Sequence, residues 1–271
     1  MNTTLFSVNN IGKIFPDPES SEPFTALSDI YLEIYTGQCI LIAGSNGSGK
    51  TLLMKIIAGL LEPDSGDILF KGESLYQGNK SKRRLTERSL RTELGLVFQD
   101  ADAQIVGETV FEDTVFGPEN LGCNANDAAA SAEKDLGIMG LGEKRHNKAR
   151  CLSGGEKRRL AIAGILAMGC NTIIMDEPFA NLDWPGVIQV LQIIRDLKKE
   201  GKTLIILTHE LEKVLALSDR LVILHRGTIQ SDGLPAYVLD NLDPAWAVRD
   251  PRRNARHEIV SAIEDCTWLA G

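Results

Sequence analysis

A chain of 271 residues, 43% hydrophobic and 24% charged, can bury one large core or two modest ones, and its formal net charge of −8 argues against a nucleic-acid partner. No apolar run approaches the roughly 20 residues that span a bilayer and the first residues show no signal-peptide pattern, so contact with a membrane is expected only through a partner. The five cysteines (Cys39, Cys123, Cys151, Cys170 and Cys266) are odd in number and free of C-x-x-C spacing, which suggests reduced thiols in a cytosol.

Along the chain, "ALSDIYLEIYTG" alternates Ile30, Leu32 and Ile34 with polar or aromatic residues, the period of a half-exposed antiparallel strand. "QCILIA" is different: an unbroken apolar run of the kind buried on both faces of a parallel sheet. It leads into Gly44, Ser45, Asn46, Gly47, Ser48, Gly49, Lys50, Thr51 and Leu52, a match to G-x-x-x-x-G-K-[ST]. Gly44, Gly47 and Gly49 permit backbone conformations that a Cβ resists, so successive N–H groups can line a cradle for phosphate oxygens. A helix follows with Leu52, Leu53, Ile56, Ile57 and Leu60 on its buried side, expected to end at Pro63, and its dipole points at the same anion. Lys50 would charge-match β/γ phosphates and the Thr51 hydroxyl would bind Mg²⁺. A plain glycine turn with a surface lysine needs neither the preceding strand nor the following helix. A nucleoside triphosphate is therefore the expected substrate.

Farther on, the basic run "KSKRRLTER" reads as a solvated helix face, and "LGLVFQ" as a strand ending at Gln99. From about Asp100 to Met168 the pattern is helical and rich in glycine and alanine, an inserted helical subdomain. Within it, "CLSGGEKRRLAIAGILAM" offers a capping box, Ser153 with Glu156. That leaves Gly154 and Gly155 unexplained, since each costs a helix up to about 1 kcal/mol relative to alanine. Two glycines at a helix N-terminus expose bare backbone to which a phosphate can come close. "NTIIMDEP" ends a buried strand in Asp176 and Glu177, at the sheet edge where open α/β folds bind ligands, and Pro178 is expected to keep Glu177 extended. "KTLIILT" is a further buried strand, followed by His209. The sheet pattern stops after about Gly233, and the stretch from Asp250 reads as one amphipathic helix with Ile259, Ile263 and Trp268 on its apolar side. The expected fold is α/β, with a mixed or parallel core sheet, an N-terminal antiparallel β-subdomain and the helical insert over residues 1–233, then a helical tail over 234–271.

Leu152 to Glu156 resembles the Leu-Ser-Gly-Gly-Gln signature of the ATP-binding cassette (ABC) ATPases, with glutamate for the usual glutamine. The resemblance runs from about Leu5 to Gly233 and fixes what the other residues are expected to do. It implies that Asp176 and Gln99 join Thr51 around Mg²⁺, that Glu177 polarises the attacking water, and that His209 contacts the γ-phosphate. It implies an aromatic ring for adenine, for which Phe15 is preferred to Phe24 because it precedes a proline. It places Ser153, Gly154, Gly155 and Glu156 across from the ATP of a second subunit, and Asp183 of "ANLD" between the two active sites. Two ATP molecules would hold a head-to-tail dimer shut until hydrolysis releases it.

The segment "DADAQIVGETVFEDTVFGPENLGC" is similar to the energy-coupling factor (ECF) type importers of vitamins and of cobalt or nickel, through Gln104, Val110, Glu112, Asp113 and Phe116 to Gly122. This implies a homodimer, or a heterodimer with a related ATPase, at the cytoplasmic face of a membrane, served by integral coupling and substrate-binding subunits. A DNA-repair type ABC protein would need a long coiled coil between Thr51 and Leu152, and a translation type would need two cassettes. An exporter ATPase is disfavoured only by the Gln104–Gly122 resemblance.

Overall fold

The computed structural model describes residues 3–16, 22–253, 259 and 261–269. In chain order, β1 (Thr4–Phe15), β2 (Phe24–Tyr35) and β3 (Cys39–Ala43) precede α1 (Lys50–Ile57), and β4 (Ser65–Phe70), β5 (Glu73–Ser74), α2 (Lys80–Glu93) and β6 (Leu94–Val97) follow. The helices α3 (Val110–Asn120), α4 (Ala125–Ile138) and α5 (Gly154–Ala167) come before β7 (Thr172–Asp176), α6 (Trp184–Lys199) and β8 (Thr203–Thr208). Last are α7 (Leu211–Val214), β9 (Arg220–His225), β10 (Thr228–Gly233) and α8 (Pro235–Asp240).

These strands form a four-stranded antiparallel sheet, β2-β1-β4-β5, and a six-stranded sheet, β10-β9-β3-β8-β7-β6, parallel except for β10. In β2 the alternation expected from the sequence is realised, with Ile30, Leu32 and Ile34 buried and Tyr31 exposed. The continuous apolar strands of the larger sheet divide their side chains between two cores. Leu41, Ile173, Met175, Ile206 and Ile223 face α5 and α6, while Ile40, Ile42, Ile174, Ile205 and Val222 join Phe6, Ile30 and α1. A period of two in a strand that is apolar throughout thus packs one sheet against both a helical layer and an antiparallel layer. Each fully buried Leu or Ile contributes about 1.5–3 kcal/mol, so both faces hold the sheet firmly.

Two expectations need correction. The helix after the loop ends at Ile57, because Gly59 turns left-handed at φ +70, and Leu60 is 56% exposed instead of buried. The tail also departs from the single amphipathic helix. Asp250 accepts from the Arg252 backbone N–H and guanidinium at 3.0 Å, and Arg252 also pairs with Asp240. This side-chain-to-backbone turn, with Pro251 inside it, competes with helix initiation. Among the described residues from Asp250 on, only Ile263–Asp265 form a helical turn, a short 3₁₀ one, and residues 254–258, 260, 270 and 271 lie outside the described set.

At Gly95 in β6, a Cβ would lie 2.0 Å from Ile165 Cγ2 of α5. Gly95→Ala should therefore destabilise the chain by about 1–3 kcal/mol through overpacking, read as a lower midpoint in chemical unfolding.

Candidate functional site

The glycines of the loop between β3 and α1 answer two different demands. Gly49, the N-cap of α1, sits at φ +106, and Gly47 at φ +79, conformations a Cβ resists. Gly44 has no such φ; it is required for space, since a Cβ there would lie 2.2 Å from the Leu224 carbonyl oxygen and 2.6 Å from Ser48 Oγ. Ser48 N donates to the Ser45 carbonyl at 3.1 Å, which closes the turn and leaves Asn46 and Gly47 at the surface. Lys50 opens α1 and is only 6% exposed. Its Nζ donates to the carbonyls of Gly44 at 2.7 Å and Ser45 at 3.2 Å and lies 3.8 Å from Glu177 Oε1. Burial pushes the Lys50 ammonium below the usual lysine value, opposed by the charges of Glu177 and Asp176.

Strand β7, one strand removed from β3 across β8, brings the two acids to the same edge. Thr51 Oγ1 donates to Asp176 Oδ2 at 2.7 Å. Asp176 is 2% exposed, its Oδ1 has no hydrogen-bond partner, and burial raises its pKa despite the Thr51 bond. Glu177 does not take the extended conformation expected before Pro178: its φ is +46, in the left-handed region. The chain must turn sharply off β7 while Glu177 N still donates to the Leu207 carbonyl at 2.9 Å, and this bend turns the carboxylate back across β8. Its Oε2 accepts from Thr208 Oγ1 at 3.1 Å and its Oε1 lies 2.9 Å from His209 Nδ1. Lys50, Thr51, Asp176, Glu177 and His209 thus meet. Thr208, missed in the sequence, was visible there only as the last residue of the strand before His209.

The other expected residues stand apart. Gln99 is exposed, and its carbonyl, not its side chain, is fixed, by Arg158 Nη2 at 2.7 Å. Arg158 is buried and also donates to the Phe98 carbonyl, so it ties α5 to the end of β6; nothing in "GEKRRL" distinguished it from its neighbours. Ser153 caps α5 in a reciprocal capping box with Glu156, whose side chain pairs with Lys144. Lys144 holds the Glu156 carboxyl below the usual range, so the glutamate that stands where the signature has glutamine stays ionised and its charge is balanced by the Lys144 ammonium. Gly154 and Gly155 meet nothing closer than 3.7 Å with an added Cβ, so the chain's own packing does not need glycine at either. Leu52 is half-buried beside the loop, and Asp183 caps α6 by accepting from Gly186 N at 3.0 Å. Phe15 and Phe24 pair across β1 and β2, both exposed, with Lys13 Nζ 5.6 Å from the Phe15 ring centroid.

A family profile described as ABC transporter matches residues 27–180, more than half of the chain and the span from β2 to just beyond Glu177. The chain belongs to the ABC transporter family. This ABC ATPase is 39% identical over 216 residues to the cobalt import ATP-binding protein CbiO of Rhodobacter capsulatus, covering 80% of this chain and 75% of that protein. It is 37% identical over 252 residues to the energy-coupling factor transporter ATP-binding protein EcfA2 of Mycoplasma mobile, covering 87% and 82% of the two chains. Among solved structures, CbiO1 of Clostridium perfringens, described as part of the ABC transporter complex CbiONQ, matches with a TM-score of 0.74 at 30% identity over 88% of this chain and 91% of that one.

The raised Asp176 pKa has a consequence for stability. The native state holds this proton more tightly than the unfolded chain, so stability falls as pH rises from the ordinary carboxylate range through the raised value. Asp176→Asn should raise the thermal midpoint of the nucleotide-free protein at pH 7, by about 2–4 °C for each 1 kcal/mol recovered, and the gain should vanish at pH values below the ordinary carboxylate range. Thermal scans across pH measure both.

Proposed function

We propose that this ABC ATPase is the nucleotide-hydrolysing subunit of an ECF-type importer, coupling closure and opening of an ATPase dimer to uptake of a vitamin or a transition-metal ion. The observation that carries the ATPase chemistry is the meeting of buried Lys50 with Glu177, whose two carboxylate oxygens are engaged by Thr208 and His209. The importer class rests on the similarity to CbiO and EcfA2. Among the described residues no helix is long and apolar enough to cross a membrane, and on this reading integral coupling and substrate-binding subunits hold the chain peripherally at the cytoplasmic face.

In this mechanism the residues from Gly44 to Leu52 cradle the triphosphate with backbone N–H groups, and Lys50 exchanges its bonds to the Gly44 and Ser45 carbonyls for β/γ-phosphate oxygens. Phe15 stacks on the adenine. The donor set suits Mg²⁺: Asp176 Oδ1 is buried without a partner and Thr51 supplies a hydroxyl, both hard oxygens, with the Gln99 side chain as a further ligand. Bound there, Mg²⁺ neutralises charge across the phosphates. Glu177 accepts the proton of the attacking water, and the bonds from Thr208 and His209 hold its carboxylate in place for that task. His209 also steadies the transferred phosphoryl group. Ser153, Gly154, Gly155 and Glu156 complete the site of a second ATPase, identical or related. This explains why glycine occupies two helical positions where the chain itself would accept a Cβ. Asp183 lies between the two sites.

Glu177→Gln should lower steady-state hydrolysis on the order of 10²-fold or more while ATP binding persists, measured by phosphate release and by nucleotide binding. Turnover near the parental rate would remove Glu177 as the base. Affinity purification of the tagged chain from membranes should recover integral subunits together with a vitamin or a cobalt or nickel ion; recovery of an exporter's membrane subunits would instead assign the chain to that class.

A further inference from the structure

Trp268 closes a path of contacts that runs from the C-terminal tail to Glu177. The tail is pinned beside α7 by two backbone bonds: Ala216 N donates to the Cys266 carbonyl at 3.1 Å, and Trp268 N to the Lys213 carbonyl at 3.3 Å. The Trp268 indole stacks on Trp184, with ring centroids 4.8 Å apart and planes inclined by 30°. Trp184 is the first residue of α6, directly after the capping residue Asp183. The stack is not a core contact, since Trp184 is 56% exposed. It joins the tail to the start of α6.

Trp268 also reaches the other half of the site. The Lys213 ammonium lies 4.7 Å from the Trp268 ring centroid and 5.7 Å from that of Phe179, within the range at which a ring face attracts a cation. Lys213 is buried and forms an ion pair with Glu210. Glu210 N donates to Thr208 Oγ1 at 3.0 Å, and Thr208 Oγ1 donates to Glu177 Oε2 at 3.1 Å. Phe179 stands two residues beyond Glu177 in the segment that leads to Asp183. A single indole therefore touches both the residue next to Asp183 and the cation paired with the side chain of Glu210, whose backbone N–H bonds Thr208 Oγ1.

We propose that Trp268 is a positioning residue for ATP hydrolysis, holding the start of α6 through Trp184 and, through Lys213, holding Glu210, whose backbone N–H bonds Thr208 beside Glu177. The proposal rests on Glu177 acting as the base and goes beyond it by assigning the tail a part in the ATPase site. Such a residue sets the geometry of the reacting groups and leaves the nucleotide cradle alone, so its loss appears in kcat and not in KM.

The test uses the full-length chain with the subunits that copurify with it, and compares Trp268→Ala, Trp268→Phe, Trp184→Ala and Glu177→Gln. The expected result is a fall in kcat on the order of tenfold for Trp268→Ala and Trp184→Ala, with KM for ATP within about twofold of the parent. Trp268→Phe, which keeps a stacking ring, should return kcat to within about twofold of the parent. Hydrolysis within about twofold of the parent in Trp268→Ala overturns the proposal. So does equal loss of activity in Trp268→Ala and Trp268→Phe with a lowered unfolding midpoint, which marks a merely structural tail. Should Trp268→Ala fail to fold, Trp184→Ala, altered at an exposed position, decides the matter by the same kcat criterion. Parental turnover in Glu177→Gln overturns the assignment of the base instead, so the two failures are distinguishable.

Discussion

The structure turns on placing one ammonium and two carboxylates together at the edge of a parallel sheet with little water around them. Lys50 spends its hydrogen bonds on backbone carbonyls of its own loop, Asp176 on Thr51, and Glu177 on Thr208 and His209. Groups of this kind are costly to bury unpaired, yet one oxygen of Asp176 is both buried and without a partner. The folded chain thus carries a local electrostatic deficit, and the two apolar cores on either face of the six-stranded sheet supply the stability that tolerates it.

The sheet also explains why these residues meet although they are far apart in sequence. β3, β7 and β8 are parallel neighbours, so their C-terminal ends lie side by side and the segments that leave them share one edge. Burial on both faces fixes the register of each strand. Bulky apolar residues without polar alternation do this in β3, β7 and β8, and the sequence at those positions serves both the core and the placement of the acids.

Those uninterrupted strands and the glycine loop were legible in the sequence because their periodicity and motif are local. β1 was not, because its alternation is broken: the pairing with β2 shifts register between Val8 and Ile11 and between Ile11 and Lys13, and Asn10 takes φ +53. The single helix expected from Asp250 was misjudged because its apolar spacing fits a helix, whereas the Asp250–Arg252 turn is set by a side chain competing for the backbone. At the site, residue types were readable but conformations were not. Neither the left-handed bend at Glu177 nor the steric demand at Gly44 leaves a trace in composition, since each depends on a neighbouring strand. The preference for Phe15 over Phe24 came from its place before Pro16 alone, since the pairing of β1 with β2 sets both exposed rings opposite each other.

The buried guanidinium of Arg158 makes the end of β6 and the signature helix a single mechanical body. It grips the carbonyls of Phe98 and Gln99 from within α5, one turn from Ser153. A planar fork seated on adjacent acceptors has little play, and a lysine, as a mobile point charge, would leave slack. The surface around Gln99 is therefore joined to the helix that Ser153 caps by a two-pronged strut and not by a flexible loop.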